Sequence, residues 1–110
     1  MSMTMAEKEK CAEIYEIYTG GIHTEPSKWN ERAGDLLAKM VFEIEKCTRG
    51  MAAARAVWPN TIKVGWGYLV KVVYHIIKGE AKLRQGYVNT ACLGQGIAAF
   101  NTSIQNELIR

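Results

Sequence analysis

The feature of this sequence that most constrains its fold is an apolar stripe of helical period between residues 26 and 58. At about 100° per residue, the apolar side chains of this segment fall on one side of a helix and most of its charged side chains on the other. The stripe comprises Trp29, Ala33, Leu36, Leu37, Met40, Ile44, Cys47, Met51, Ala54 and Trp58. Pro26 suits a first helical turn, and Pro59 ends what precedes it. The pattern predicts one continuous helix over 26–58, about 48 Å long.

The first segment carries local signals for both ends of a shorter helix. Thr4 and Glu7 form a capping-box pattern, in which each side chain accepts a hydrogen bond from a free backbone N–H. Gly20 and Gly21 supply a left-handed stop. These signals predict a helix that ends at about Tyr18.

Two further segments complete the chain. Residues 80–108 have a helical apolar arc that includes Asn101 and Gln105, and each of these amides needs a hydrogen-bond partner there. Residues 61–78 fit a strand, because their β-branched and aromatic side chains alternate, and they also form one helical face. We favour a helix because no other segment offers a convincing strand to pair with.

Together the segments predict an all-α fold, a small four-helix bundle with two long helices in a single helical domain over 1–110. The alternative is an α+β fold with a strand or hairpin at about 61–78. Two such long helices carry more apolar surface than one copy of the chain covers. We therefore expect a homodimer or a higher oligomer.

The sequence offers no stretch long enough to cross a membrane. The most apolar run, residues 64–77, is shorter than the ~18 residues that a span requires, and it contains Lys71 and His75. The first residues lead into the charged run 7–10, where a secretory signal would have a hydrophobic region. We expect no membrane span and a cytoplasmic location.

Cysteine and histidine are too few and too scattered to indicate a catalytic or metal centre. Cys11, Cys47 and Cys92 form no C-x-x-C pair and lie on or near apolar stripes, which predicts reduced core thiols. In an exported protein, one disulfide and one free thiol would be expected instead. His23 and His75 have no ligand partner at helical spacing, and no serine stands in a Gly-x-Ser-x-Gly context. We expect no metal, no cofactor and no enzymatic activity.

Charge is divided unevenly along the chain. Residues 1–50 hold seven Lys and Arg against nine Asp and Glu (net −2), and residues 51–110 hold seven against two (net +5). The basic face, as we call it, lies on one side of the third segment and continues just after it: Lys63, Lys71, His75, Lys78, Lys82 and Arg84. It is a candidate site for nucleic acid, a nucleotide or another anionic partner. A solvated helix face is the other interpretation.

Two functions follow from these patterns. The first is a non-enzymatic protein–protein interaction module, such as a small inhibitor, immunity or regulatory protein, that self-associates and binds another protein. Its interface would use Phe42, which the helical period places on the polar side, and Trp29 and Trp58 near the ends of the 26–58 helix. The alternative is a small nucleic-acid- or nucleotide-binding regulator that uses the basic face.

Overall fold

The computed structural model describes residues 3–57, 65–67, 69–71, 92 and 98–109. Within these ranges all regular structure is helical, and the predicted all-α fold is confirmed. In chain order the elements are α1 (Met5–Thr19), a 3-10 turn (Pro26–Lys28), α2 (Glu31–Arg49), α3 (Met51–Val57) and α4 (Ala98–Ile109). Residues 66, 67 and 69–71 are helical as well. The described part of 61–78 therefore favours the helix over the strand.

α1 begins and ends where its local sequence predicts. The Thr4 hydroxyl accepts a hydrogen bond from the Glu7 N–H at 3.2 Å, and the Glu7 carboxylate accepts one from the Thr4 N–H at 2.9 Å. At the other end Gly20 takes a left-handed conformation with φ 75°, and its N–H donates to the Glu16 carbonyl. The capping box and the glycine stop are both confirmed.

The prediction of one continuous helix over 26–58 is wrong. α2 begins after Asn30, whose Oδ1 accepts a hydrogen bond from the Ala33 N–H at 2.8 Å. It ends before Gly50, which takes φ 94° and ψ 165°, a conformation open essentially to glycine alone. The apolar period continues across Gly50 into α3. Because the period shows no break there, it predicted one helix where the structure has α2 and α3.

α2 is the central helix, in contact with α1, α3 and α4. Its contacts remove most of its circumference from water, including Ala38 and Glu45 on the side that the helical period assigned to solvent. The largest fully buried side chains of the described residues form a continuous core: Trp29, Tyr15, Tyr18, Ile14, Leu37, Met40, Ile44, Leu69 and Ile104. One enclosed helix thus organises the described part of the fold.

Trp29 and Phe42 belong to this core. The expectation that Phe42 is exposed is therefore wrong, whereas the place of Trp29 on the apolar stripe is confirmed, and within one chain neither side chain lies at the surface for the predicted interface. Trp29 is 0% exposed, its ring meets the Tyr15 ring edge-on at 5.7 Å between centroids, and its Nε1 donates to Thr24 Oγ1 at 2.8 Å. Phe42 is 8% exposed. The physical reason is that Trp29 packs against Tyr15 of α1, and that Phe42 lies on α2, which its own chain covers on several sides. Trp58 lies outside the described residues.

A buried carboxylate links α1 to the end of α2. Glu45 is 1% exposed, and its Oε1 accepts a hydrogen bond from the Tyr18 hydroxyl at 2.9 Å. Its Oε2 accepts one from Arg49 Nη1 at 2.6 Å, within α2. The positive charge of Arg49 and the two hydrogen bonds stabilise the Glu45 carboxylate, which would otherwise be costly to bury.

Gly65 and the helical residue Trp66 approach α2 very closely. The Trp66 N–H donates to Asp35 Oδ1 at 2.9 Å, which places a carboxylate at the first helical residue after Gly65. A Cβ at Gly34 would lie 2.8 Å from Trp66 Cβ, and one at Gly65 would lie 2.8 Å from Asp35 Oδ1. Close packing therefore explains Gly65, the first glycine of the Gly-Trp-Gly sequence.

The predicted long helix over 80–108 is described only in part. α4 spans its last turns and ends one residue later, at Ile109, and Cys92 is also helical. The other residues of that prediction lie outside the described ranges. Since α2 is shorter than predicted and Trp29 is buried within one chain, the oligomer is no longer supported by two long exposed stripes.

Candidate functional site

A cleft opens between the loop that follows α1 and the last turns of α4. Its volume is about 410 Å³, and we call it the loop–α4 cleft. Its lining residues are Ile22, His23, Thr24, Glu25, Lys28, Gln105, Leu108 and Ile109. Gly20 and Gly21, with φ of 75° and 113°, turn the chain out of α1 into the loop that lines the cleft. The loop leads into the 3-10 turn, whose last residue, Lys28, also lines the cleft.

Two of the apolar side chains that line the loop–α4 cleft are exposed. Ile109 is 78% exposed and Ile22 39%, whereas Leu108, which also lines the cleft, is 8% exposed. Among the described residues the exposed large hydrophobic side chains are Met5, Ile22, Met51 and Ile109, and two of these four line this cleft. Exposed apolar surface that converges on a concavity is typical of a binding site.

The rim of the cleft carries both signs of charge. His23 Nε2 lies 3.7 Å from Glu25 Oε1, with both side chains 70% exposed. Lys28 follows at the end of the 3-10 turn and is also exposed. Thr24, which lines the cleft, accepts the hydrogen bond from buried Trp29. The loop is thus attached to the core while its charged side chains face solvent.

Hydrogen bonds to Tyr15 anchor the α4 wall to α1. The Tyr15 hydroxyl donates to Asn101 Oδ1 at 2.5 Å and accepts from Gln105 Nε2 at 3.5 Å. The prediction that both amides need partners is confirmed, and one phenol supplies them. Burial raises the pKa of Tyr15, with the Gln105 hydrogen bond acting in the opposite sense, so the phenol keeps its proton at neutral pH.

A second set of contacts anchors α4 to the start of α2. Glu107 Oε2 lies 3.3 Å from Arg32 Nε, and its Oε1 lies 3.5 Å from Asn30 Nδ2. The Glu107 side chain is 13% exposed, whereas the Arg32 side chain is 72% exposed. α4, which carries Leu108 and Ile109, is therefore held to α1 by Asn101 and Gln105 and to the start of α2 by Glu107.

The cysteines fulfil the prediction of reduced core thiols only in part. Cys11 is a free, buried thiol. Burial, and secondarily the charge of Glu7, raises its pKa to about 12, so it is not a nucleophile at neutral pH. Cys47 and Cys92 instead form a disulfide with 5.8 Å between Cα atoms.

Other predicted sites are only partly described. Of the basic face, Lys71 is described and exposed, whereas Lys63, His75, Lys78, Lys82 and Arg84 lie outside the described residues. Anionic-partner binding therefore stays a prediction.

The described part of the chain holds neither a cluster of metal ligands nor a membrane-spanning helix. No group of three or more His, Cys, Asp and Glu side chains is placed to hold a metal ion there. Nor is any helix there both long and apolar enough to cross a membrane.

Neither Ile22 nor Ile109 was predicted from the sequence as a site residue. Ile22 is an isolated apolar residue in a glycine- and proline-bounded loop, which is the one signal that could have found it. Comparison with known proteins adds no constraint: no family model, no curated protein and no solved structure matches this chain.

Proposed function

We propose that this chain is a non-enzymatic protein–protein interaction module, of the small inhibitor, immunity or regulatory kind, and that the loop–α4 cleft is its docking surface. The observation that carries the proposal is the convergence of two exposed isoleucines, Ile22 and Ile109, on one concavity of about 410 Å³. Burying exposed aliphatic side chains is the main favourable term in protein association.

We propose further that the occupant of the cleft is a second copy of the chain. An interface with two-fold symmetry places the same patch on both sides, so its charges must be self-complementary. The rim meets this condition because Glu25 of one copy can face Lys28 of the other. The protruding side chain of Ile109 then supplies an apolar group for the facing cleft.

The expected affinity is modest. Fully burying an exposed aliphatic side chain contributes about 1.5–3 kcal/mol. Since Ile109 is 78% exposed and Ile22 only 39%, these isoleucines in the two copies together contribute about 3.5–7 kcal/mol. Loss of translational and rotational freedom costs at least about 4 kcal/mol. The balance predicts a dissociation constant in the millimolar range, so the measurement must reach high protein concentration.

Methyl NMR of the isoleucine δ1 groups tests the proposal directly. Over a protein concentration series up to about 1 mM, the signals of Ile22 and Ile109 should shift. The signals of Ile14 and Ile44, which are fully buried, should stay constant. Sedimentation velocity on the same samples should show the average mass rising over the same range.

Two matched variants separate the cleft from general stickiness. Ile109→Gln removes the apolar group from the cleft, and Met5→Gln removes a group that is 54% exposed elsewhere on the surface. We expect Ile109→Gln to weaken association more than tenfold and Met5→Gln to leave it unchanged. A wild-type protein that stays monomeric at the highest concentration, or equal effects of the two variants, would contradict the proposal. Methyl shifts induced only by a small apolar dye would instead indicate a small-ligand site.

A further inference from the structure

The three cysteines differ sharply in the access that solvent has to them. Cys47, near the end of α2, is exposed, whereas Cys92 is 4% exposed and Cys11 is 1% exposed. The Cys47–Cys92 disulfide therefore joins an accessible residue to a buried one. This asymmetry is independent of the loop–α4 cleft and of the function proposed for it.

Access decides where such a bond can be opened. Thiol–disulfide exchange requires a thiolate to reach one of the two sulfurs, and accessibility selects which one. The core encloses Cys92, so an external thiol meets Cys47 first. An internal attack is unavailable, because Cys11 is buried and its pKa of about 12 keeps it protonated.

We propose that Cys47 is a site of exchange with small thiols, glutathione being the model reagent, and that the Cys47–Cys92 bond is a reversible covalent latch. The small thiolate attacks Sγ of Cys47 and forms a mixed disulfide there. The Cys47–Cys92 bond breaks, and its electron pair leaves with Sγ of Cys92, which takes up a proton. A second small thiol then attacks the mixed disulfide. Two protein thiols and one small-molecule disulfide result, so the protein gains the two electrons and two protons that the two small thiols lose.

The position of the latch gives its opening a structural consequence. It ties the last turn of α2, where Glu45 and Arg49 form the buried contact with Tyr18, to a residue 45 positions further along. A cross-link that closes so long a loop restricts the unfolded chain strongly. Its reduction should lower the melting temperature by on the order of 15 °C.

Peptide mapping of the exchange product tests the site. The oxidised full chain is incubated with reduced glutathione at about pH 8, where small thiols are partly ionised, and is then quenched with acid. Mass spectrometry of the peptides should find the glutathione adduct on Cys47. An adduct on Cys92 or on Cys11, or no exchange while the protein stays folded, would overturn the proposal.

Single-cysteine changes provide the matched control. Cys92→Ala leaves Cys47 as a free exposed thiol, and Cys47→Ala leaves Cys92 as a free buried thiol. With Ellman's reagent the first should react at least tenfold faster than the second. If either variant fails to fold, the wild-type adduct map still decides. Equal melting temperatures for the oxidised and reduced wild-type protein would show that the bond is no latch.

Discussion

Replacing Gly34 with alanine tests the close approach between α2 and the described residues 65–71. A Cβ at Gly34 would come 2.8 Å from Trp66 Cβ and 3.6 Å from Trp66 Cα. A Cβ essentially never comes within 3.0 Å of a heavy atom that belongs neither to its own residue nor to a chain neighbour. Because Trp66 Cβ is fixed to its own backbone, rotation of a side chain does not relieve the overlap. Either α2 or the 65–71 segment must move.

Two opposing effects set the magnitude. Alanine is favoured over glycine inside a helix by about 0.8–1.0 kcal/mol. Overpacking a tight contact costs about 1–3 kcal/mol, and separating the segments also weakens the 2.9 Å hydrogen bond from the Trp66 N–H to Asp35, which adds about 1 kcal/mol. We therefore expect Gly34→Ala to lower the free energy of unfolding by about 1–3 kcal/mol.

Gly67→Ala is the matched control. Gly67 is helical and exposed, and a Cβ there meets nothing within 4 Å. With no contact to oppose it, the helix propensity of alanine should raise the free energy of unfolding by up to about 1 kcal/mol. The same chemical change thus has opposite signs at two glycines of one sequence.

Urea unfolding followed by far-UV circular dichroism measures both variants. With a slope of about 1–3 kcal/mol per molar urea, the midpoint for Gly34→Ala should fall by on the order of 1 M, and that for Gly67→Ala should rise slightly. A Gly34→Ala protein as stable as the wild type, or more stable, would refute the close packing of α2 against the 65–71 segment.

Three further predictions concern stability. Tyr18→Phe removes the hydrogen-bond donor to buried Glu45 and should lower the free energy of unfolding by about 1–3 kcal/mol, which urea unfolding measures. A decrease below about 0.3 kcal/mol would mean that the burial of Glu45 does not depend on this hydrogen bond. Gly50→Ala places a side chain at φ 94° and ψ 165° and should cost about 1–3 kcal/mol; a gain in helix by circular dichroism without loss of stability would show that α2 and α3 can join. The pKa of Cys11, raised by burial from 9.0 to about 12, makes stability depend on alkaline pH. The unfolded thiol ionises above about 9 while the folded one stays protonated, so the stability from this group is complete below that pH and is lost as pH rises toward about 12. Cys11→Ala should flatten the decline in urea midpoint between about pH 8 and pH 10, and an unchanged slope would contradict the assignment.

Several features of this protein could be predicted from sequence because the interactions that determine them are local. The capping box at Thr4 and Glu7, and the stop at Gly20, involve residues a few positions apart, and the structure contains both. The helical class follows from the period of apolar residues for the same reason. The need of Asn101 and Gln105 for partners also followed from the sequence, although the identity of the partner, Tyr15, did not.

Other features depend on which surfaces meet in three dimensions. The apolar period runs through Gly50 and therefore predicted a single helix. An apolar stripe indicates which side chains are buried, but it does not indicate whether the helix continues without a break. Phe42 was expected to be exposed because a helical wheel assumes one solvent side, whereas α2 is enclosed by its neighbours.

The disulfide and the cleft both join segments that are distant in sequence. Cys47 bonds to Cys92 across 45 positions, and Ile22 and Ile109 line one cleft although an even longer stretch of chain separates them. Local sequence therefore determined which segments form helices and where α1 begins and ends. Only the packing of α1, α2 and α4 decided which side chains reach one another, because long-range contacts depend on the path of the whole chain.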